Sequence, residues 1–209
     1  MKSQFDLVLR NLMQRGLLLE SDPRLPSVCT LITGEPLRGS WWSHPLANAI
    51  FRVNEQLADH DDVLITKLIS GKVTFVHREL WPEIMAIGLA REGWQTKALS
   101  KSALLLLKMI DEQGSLRTDE PAWPRDPQLK PGDAARELEK QLLIHSEELH
   151  TESGSHSKLI ETWQRWANRI GFTPKRILPD EAKTTLDARI RALNDEFGAR
   201  ARLPWVAAG

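Results

Sequence analysis

Two stretches of this chain abandon helical periodicity, and both sit among segments that keep it. Between Val63 and His77 the sequence VLITKLISGKVTFVH is β-branched and alternating, with Ser70-Gly71 between its halves, which predicts a hairpin. With those two residues as the turn, Leu68 faces Val73, Thr66 faces Phe75 and Leu64 faces His77. One sheet face is then mostly apolar, with His77 at its edge. A second hairpin is expected between Leu142–Ile144 and Lys158–Ile160, around a polar stretch whose turn is Glu152-Ser153-Gly154-Ser155. Hairpins set among helices give an α-rich α+β fold.

The helices follow from apolar spacing and stop signals. Phe5, Val8, Leu9, Leu12 and Met13 form one face before Gly16, and Leu46, Ile50, Val53 and Leu57 form another after Pro45. Trp81-Pro82 opens a third helix expected to end at Gly93. Ser100 to Gln113 is almost wholly apolar and closes at Gly114. SLRTDEPAW follows as an extended piece and turn, and Pro121 to Pro131 is a proline-dense loop. Gly132 to Gln141 is helical. After the second hairpin, Ile160, Trp163, Ala167 and Ile170 share a helical stripe, with Glu161 and Arg165 as an i,i+4 pair. A last helix begins at Pro179-Asp180-Glu181 and turns Ala182, Leu186, Ile190, Leu193 and Phe197 inward. No internal repeat is visible. The expected division is an α+β unit over 1–95 with its small antiparallel hairpin, a winged-helix-like unit over 96–171, where helix, helix and hairpin follow in order, and a C-terminal helical extension over 172–209.

Composition narrows the function classes. Twenty-eight basic and 28 acidic residues leave a formal net charge of zero, so no global field draws a polyanion. The single cysteine, Cys29, cannot form an intramolecular disulfide. No apolar run approaches the roughly 20 residues of a membrane span, and the N-terminus lacks a signal-peptide pattern, so no membrane partner and a cytoplasmic location are expected. Eight Trp against no Tyr is lopsided, and indoles mostly serve burial.

Two constellations could carry chemistry. His145, Glu147, Glu148, His150, Glu152 and His156 have metal-ligand composition, but in a strand His145 and His150 point to opposite faces. Solvated hairpin residues explain the pattern more simply, so neither a metal nor another cofactor is expected. The segment GSWWSH offers Gly39 for an unusual backbone, Trp41 and Trp42 as stacking faces, and His44 beside a helix start. The plainer alternative is that one indole is core and the other covers a loop. His77 and Arg78, at the hairpin's end, could join a phosphate or carboxylate site. GxSxG, Walker, GxGxxG and CxxC signatures are absent, and Cys29 in PSVCTLI reads as a small buried hydrophobe.

LRGSWWSHPLANAIF, DVLITKLISGKVTFVHRELWP and ELEKQLLIHSEELHTESGSHSKLIETWQRW together resemble a bacterial group described as AlkZ-related. The resemblance covers most of residues 1–171 and links the chain distantly to winged-helix DNA glycosylases of the AlkZ/YcaQ type. It implies tandem winged helices around damaged DNA, with a QxQ or QxD motif in the active site. This chain is expected to lack that motif, so no catalytic residue is carried over and base excision is not expected.

Charge adds a second expectation. Asp133, Arg136, Glu137, Glu139 and Lys140 give the helix before the second hairpin a net acidic sum, which disfavours groove reading through it. The last helix and its flanks lean basic. The resulting expectation is a DNA-associated, repair-linked, non-catalytic protein contacting nucleic acid through Trp41, Trp42, His44, His77 and Arg78, with Arg189 and Arg191 on phosphates. The alternative is a protein-interaction or self-association module that binds no nucleic acid.

Overall fold

A computed structural model describes residues 3–37, 39–120, 122–124, 130–150 and 156–206. The fold is α+β, as expected. It divides into two compact units: Met1–Trp81 with Lys183–Gly209, and Pro82–Ala182. These units cut the chain elsewhere than at residues 95 and 171. The C-terminal segment belongs to the first unit because its contacts are there. Arg15 makes a two-pronged ion pair with Glu196 at 2.7 and 2.9 Å, and the Ser70 N–H donates to the Arg202 carbonyl at 2.8 Å.

In the first unit, helix α1 (Gln4–Arg15) opens on a capping box between Ser3 and Asp6 and ends at Gly16, whose φ of 76° is the left-handed cap a side chain resists. Strand β1 (Leu17–Leu19) follows at once, with all three leucines buried. Helix α2 (Val28–Thr33) is capped by the Ser27 hydroxyl, and α3 (Ala47–Ala58) turns Ile50, Val53 and Leu57 inward. Strands β2 (Val63–Lys67) and β3 (Val73–His77) form the first hairpin. The antiparallel sheet has the order β1-β3-β2. Neither β1 nor α2 was anticipated, since three leucines and six residues are too short to show a period. Val8, Leu12, Val28, Cys29, Ile50, Val53, Leu57 and Phe75 make the core.

The hairpin exists but in another register. Val63 faces His77, Ile65 faces Phe75 and Lys67 faces Val73, one residue away from the expected pairing. Leu68 and Ile69 are both buried, and no alternating strand can bury two successive residues on one face. They leave the ladder for a 3-10 turn at Ile69–Gly71, where Ser70 and Gly71 take left-handed φ of 52° and 68°. The Thr74 hydroxyl, fully buried, accepts from the Ile69 N–H at 3.1 Å and replaces the lost ladder bond.

The second unit holds most of α4 (Trp81–Ala90), then α5 (Gly93–Thr96) and α6 (Lys101–Gln113). Strand β4 (Ser115–Arg117) and helix α7 (Pro131–Lys140) come next. Strands β5 (His145–His150) and β6 (His156–Glu161) lead to α8 (Trp163–Arg169), and α9 (Pro179–Phe197) begins here. Its sheet order is β4-β6-β5, antiparallel throughout. The first hairpin strand lies wholly after the expected Leu142–Ile144, and the second runs beyond the expected Lys158–Ile160 at both ends, so Ile160 and Glu161 are strand residues and not part of α8. The expected turn at 152–155 lies outside the described residues, as does most of the proline-dense loop. Glycine 93 starts α5 instead of ending α4.

The two units repeat one topology without repeating a sequence. Each runs from a helix through a left-handed glycine, Gly16 or Gly114, into a short strand, then on to a helix and a hairpin whose last strand takes the middle of the sheet. Apolar spacing and a glycine cap are what recur, and many sequences satisfy both.

Trp163 anchors the second unit. Its fully buried indole N–H donates to the Leu142 carbonyl at 2.7 Å, and Leu142 is itself held at φ 53°. Gly88 of α4 lets the ring approach, because a Cβ there would sit 2.5 Å from the indole Cδ1. Gly88→Ala should therefore cost about 1–3 kcal/mol. Gly132→Ala, whose added Cβ meets nothing within 4 Å, should be neutral or raise stability by about 0.4–1 kcal/mol. Urea unfolding midpoints of the two variants check this.

Candidate functional site

The segment before α3 is built to present an indole. Gly39 adopts a φ of 88°, which lets the chain turn sharply into Ser40. The Ser40 hydroxyl caps a 3-10 turn over Trp41–Ser43. Trp41 is 7% exposed and joins the core, whereas Trp42 is 64% exposed and stacks on it, with ring centroids 4.0 Å apart and planes at 22°. Phe51 braces Trp42 from α3 at 5.9 Å. One indole is thus core and the other is held outward against it. His44 is committed locally: its Nδ1 accepts from the Leu46 N–H at 3.1 Å, and its own N–H donates to the Trp41 carbonyl.

Beyond Trp42, the outward stripe of α3 is Asn48, Arg52 and Gln56, all exposed and spaced by four. Sequence reasoning missed them because it followed the apolar side of this helix. The signal was present: a helix whose inner face is fixed by Ile50, Val53 and Leu57 must show 48, 52 and 56 to solvent.

Of the other expected contacts, Arg78 and Arg189 are engaged in ion pairs. Arg78 lies 3.4 Å from Asp62 and over the Trp81 ring at 5.3 Å. His77 is half-buried at the end of β3, and its buried Nδ1 has no hydrogen-bond partner. Arg189 pairs with Glu79 at 3.3 Å, while Arg191 is exposed on α9. Cys29 is buried, and burial pushes its thiol up to about 11, which fits a small hydrophobe and not a nucleophile.

In the second unit the face of α7 differs from the charge sum. Glu137 turns to Ser100, accepting from its N–H at 2.8 Å and its hydroxyl at 2.7 Å. Glu139 is buried, bonded to the Ser146 hydroxyl and 3.6 Å from Lys158. Fully exposed on this helix are Asp133, Arg136 and Lys140, with Arg136 3.4 Å from Asp133. Counting charges along the helix overstated the acidity of its outer face, because Glu139 is buried beside Lys158.

The polar hairpin yields one cluster, of which only half was anticipated. His145 and Glu147 share a sheet face, and Glu161 pairs directly across from His145, so the three offer ligand atoms within 4.8 Å of one another. His145 Nδ1 lies 3.4 Å from Glu161 Oε1, without a directed hydrogen bond, and its ring packs against Trp163 and Trp166. The guanidinium of Arg169 stands where a cation would sit, with Nη2 at 2.6 Å from Glu161 and 2.5 Å from Glu147. Glu161 pairs with Arg169 and not with Arg165, because it belongs to β6. The cluster reads as an ion-paired clasp tying both hairpin strands to α8.

Burial would raise the Glu161 carboxyl, but His145 and Arg169 outweigh it and hold the group below its ordinary 4.5. Its stabilising contribution is therefore present above about pH 4.5 and is lost as pH falls through the lower folded value. Glu161→Gln should cost about 2–4 kcal/mol at neutral pH, since it leaves the Arg169 guanidinium short of a counter-charge. The variant should also lose part of the acid-dependent destabilisation, which urea unfolding across the acid range checks.

One stretch, Gln4-Phe5-Asp6, does have the QxD spacing that the chain was expected to lack. It is the first turn of α1, where Asp6 Oδ2 accepts from the Ser3 N–H at 3.0 Å and the Asp6 N–H donates to the Ser3 hydroxyl at 3.1 Å. That geometry is a capping box, in which Asp6 is the acidic partner of Ser3.

Among the described residues, no helix is long and apolar enough to cross a membrane. A family model described as AlkZ related matches residues 3–201. No curated protein and no solved structure gives a significant match.

Proposed function

The chain belongs to the AlkZ-related family, and from that premise we propose that it associates with DNA through its first unit, favouring sites where a base face is exposed. The observation that carries this reading is Trp42. A large apolar ring costs free energy in water, yet here it is held outward by a stacked Trp41 and a bracing Phe51. A base face is its natural complement, since every base has one. We read each unit's helix–strand–helix–hairpin order as a winged helix, which makes α3 and α7 the groove-facing helices. Asn48, Arg52 and Gln56 are the residue types that pair with adenine and guanine edges, and Arg136 and Lys140 suit phosphates. Arg191 is a further phosphate contact. A repair-linked role without base excision is part of this reading, with Asp6 of the one QxD pair engaged in a helix cap.

Fluorescence anisotropy with a labelled duplex, intact or carrying an abasic site, tests this. Binding should weaken steeply with salt and favour the abasic duplex. Trp42→Ala should weaken binding to the abasic duplex by about tenfold or more. Arg191→Gln should reduce the salt slope by about one, whereas Arg52→Gln should leave the slope and relax any preference among base sequences. Absence of salt-sensitive binding even at low salt would overturn the reading.

A second reading, a protein-interaction or self-association module, is favoured by Leu104 and Leu105, which α6 leaves about half exposed. A mass that rises with concentration in size-exclusion chromatography would support it.

A further inference from the structure

A cleft of about 250 Å³ in the first unit lies between the loop after β1, the turn joining β2 to β3, and the segment that follows α9. Its lining includes Asp22, Arg24, Ser70, Lys72 and Arg200, so three cations face one carboxylate. The carboxylate is already spent. Asp22 Oδ1 accepts from the Arg24 and Leu25 N–H groups at 2.9 and 2.8 Å, and Oδ2 accepts from Lys72 Nζ at 2.7 Å. Burial would raise the Asp22 carboxyl, but the bonds from Lys72, Leu25 and Arg24 hold it below its ordinary value. It therefore stays charged and fixes Lys72 in place across the pH range where the protein would be studied.

Two guanidiniums are left with donors to give. Arg24 uses one nitrogen on the Gly198 carbonyl at 3.2 Å, which leaves the rest of its fork available. Arg200 is exposed and has no ionic partner among the described residues. The Ser70 oxygen accepts from the Arg202 N–H at 3.2 Å, so its own hydrogen can point outward. The walls are held by backbone bonds between Ser70 and Arg202 and by Asn194, which bonds both N–H and C=O of Ala201. Forked guanidiniums, an ammonium and a hydroxyl around a cleft with room for a small anion and a few waters, each taking about 30 Å³, match a tetrahedral oxyanion.

We propose that this cleft binds a phosphate group, supplied by the backbone of a nucleic acid. The identity of the source rests on the DNA reading above, whereas the phosphate chemistry does not. In the unit's topology the turn that forms one wall is the tip of the hairpin, the element a winged helix lays along the phosphate backbone. The sequence marks Ser70 only as a turn residue and does not bring it together with Arg24, Lys72 and Arg200, because they come from three distant segments.

Amide chemical shifts of the isotope-labelled full chain test the proposal, with two titrants. Inorganic phosphate is added at constant ionic strength against sodium chloride, and a short oligothymidylate is added separately. Both should shift the amides of Ser70, Lys72, Arg200 and Ala201 in a saturable way. Arg200→Gln should weaken phosphate binding about fivefold or more, with Arg24→Gln as the second variant, while Lys101→Gln, exposed on α6 and outside the cleft, should leave it unchanged. Saturation by phosphate without any oligonucleotide binding keeps the phosphate site and removes the DNA reading. Oligonucleotide binding that leaves these amides unmoved removes the cleft and keeps the DNA reading. Chloride-like behaviour with both titrants overturns the proposal.

Discussion

A strand of three leucines holds the first unit in shape. Leu17, Leu18 and Leu19 pair with Val76, Phe75 and Thr74, and this is what places β3 in the middle of its sheet. The strand can start immediately after α1 because Gly16 takes a left-handed φ at no steric cost. With β1 zipped to β3, α1 and α3 close over the same apolar layer, and Val8, Leu12, Ile50, Val53 and Leu57 become one core. The inner face of α3 is then fixed. Its outer face, and the Trp41–Trp42 stack that precedes it, are fixed as a consequence.

The second unit meets the same constraint with different residues. Gly114 replaces Gly16, and Leu116 faces Ile160 across a shorter apolar patch. Part of the closing force is polar. The Arg169 guanidinium joins Glu147 and Glu161 of the two hairpin strands, and Trp163 pins Leu142 in a conformation a leucine resists. Such a clasp specifies a single arrangement more than it adds net stability, since burying charge costs much of what pairing returns.

Much of this was legible in the sequence. Long amphipathic helices, the glycine caps and both hairpins follow from period and punctuation alone. What escaped were features decided by tertiary burial. Leu17–Leu19 is too short to show alternation, and the first hairpin's register moved by one residue because Leu68 and Ile69 both had to be buried. The candidate site was half visible. GSWWSH announced itself by composition, but which indole is core depends on packing. The charge argument missed Glu139, whose burial beside Ser146 and Lys158 is set by the fold. The basic cleft was invisible, because Arg24, Lys72 and Arg200 meet only after the chain returns to its first unit.

The central claim is that the Trp42 ring meets the face of a base. Photocrosslinking to a single strand carrying 5-iodouracil, with the adduct located by mass spectrometry, reads that contact directly. The account predicts that the adduct forms on Trp42 and disappears in Trp42→Phe/Phe51→Ala, where the ring is smaller and unbraced. Crosslinks confined to other residues, with none on the segment from Ser40 to Gln56, would contradict it.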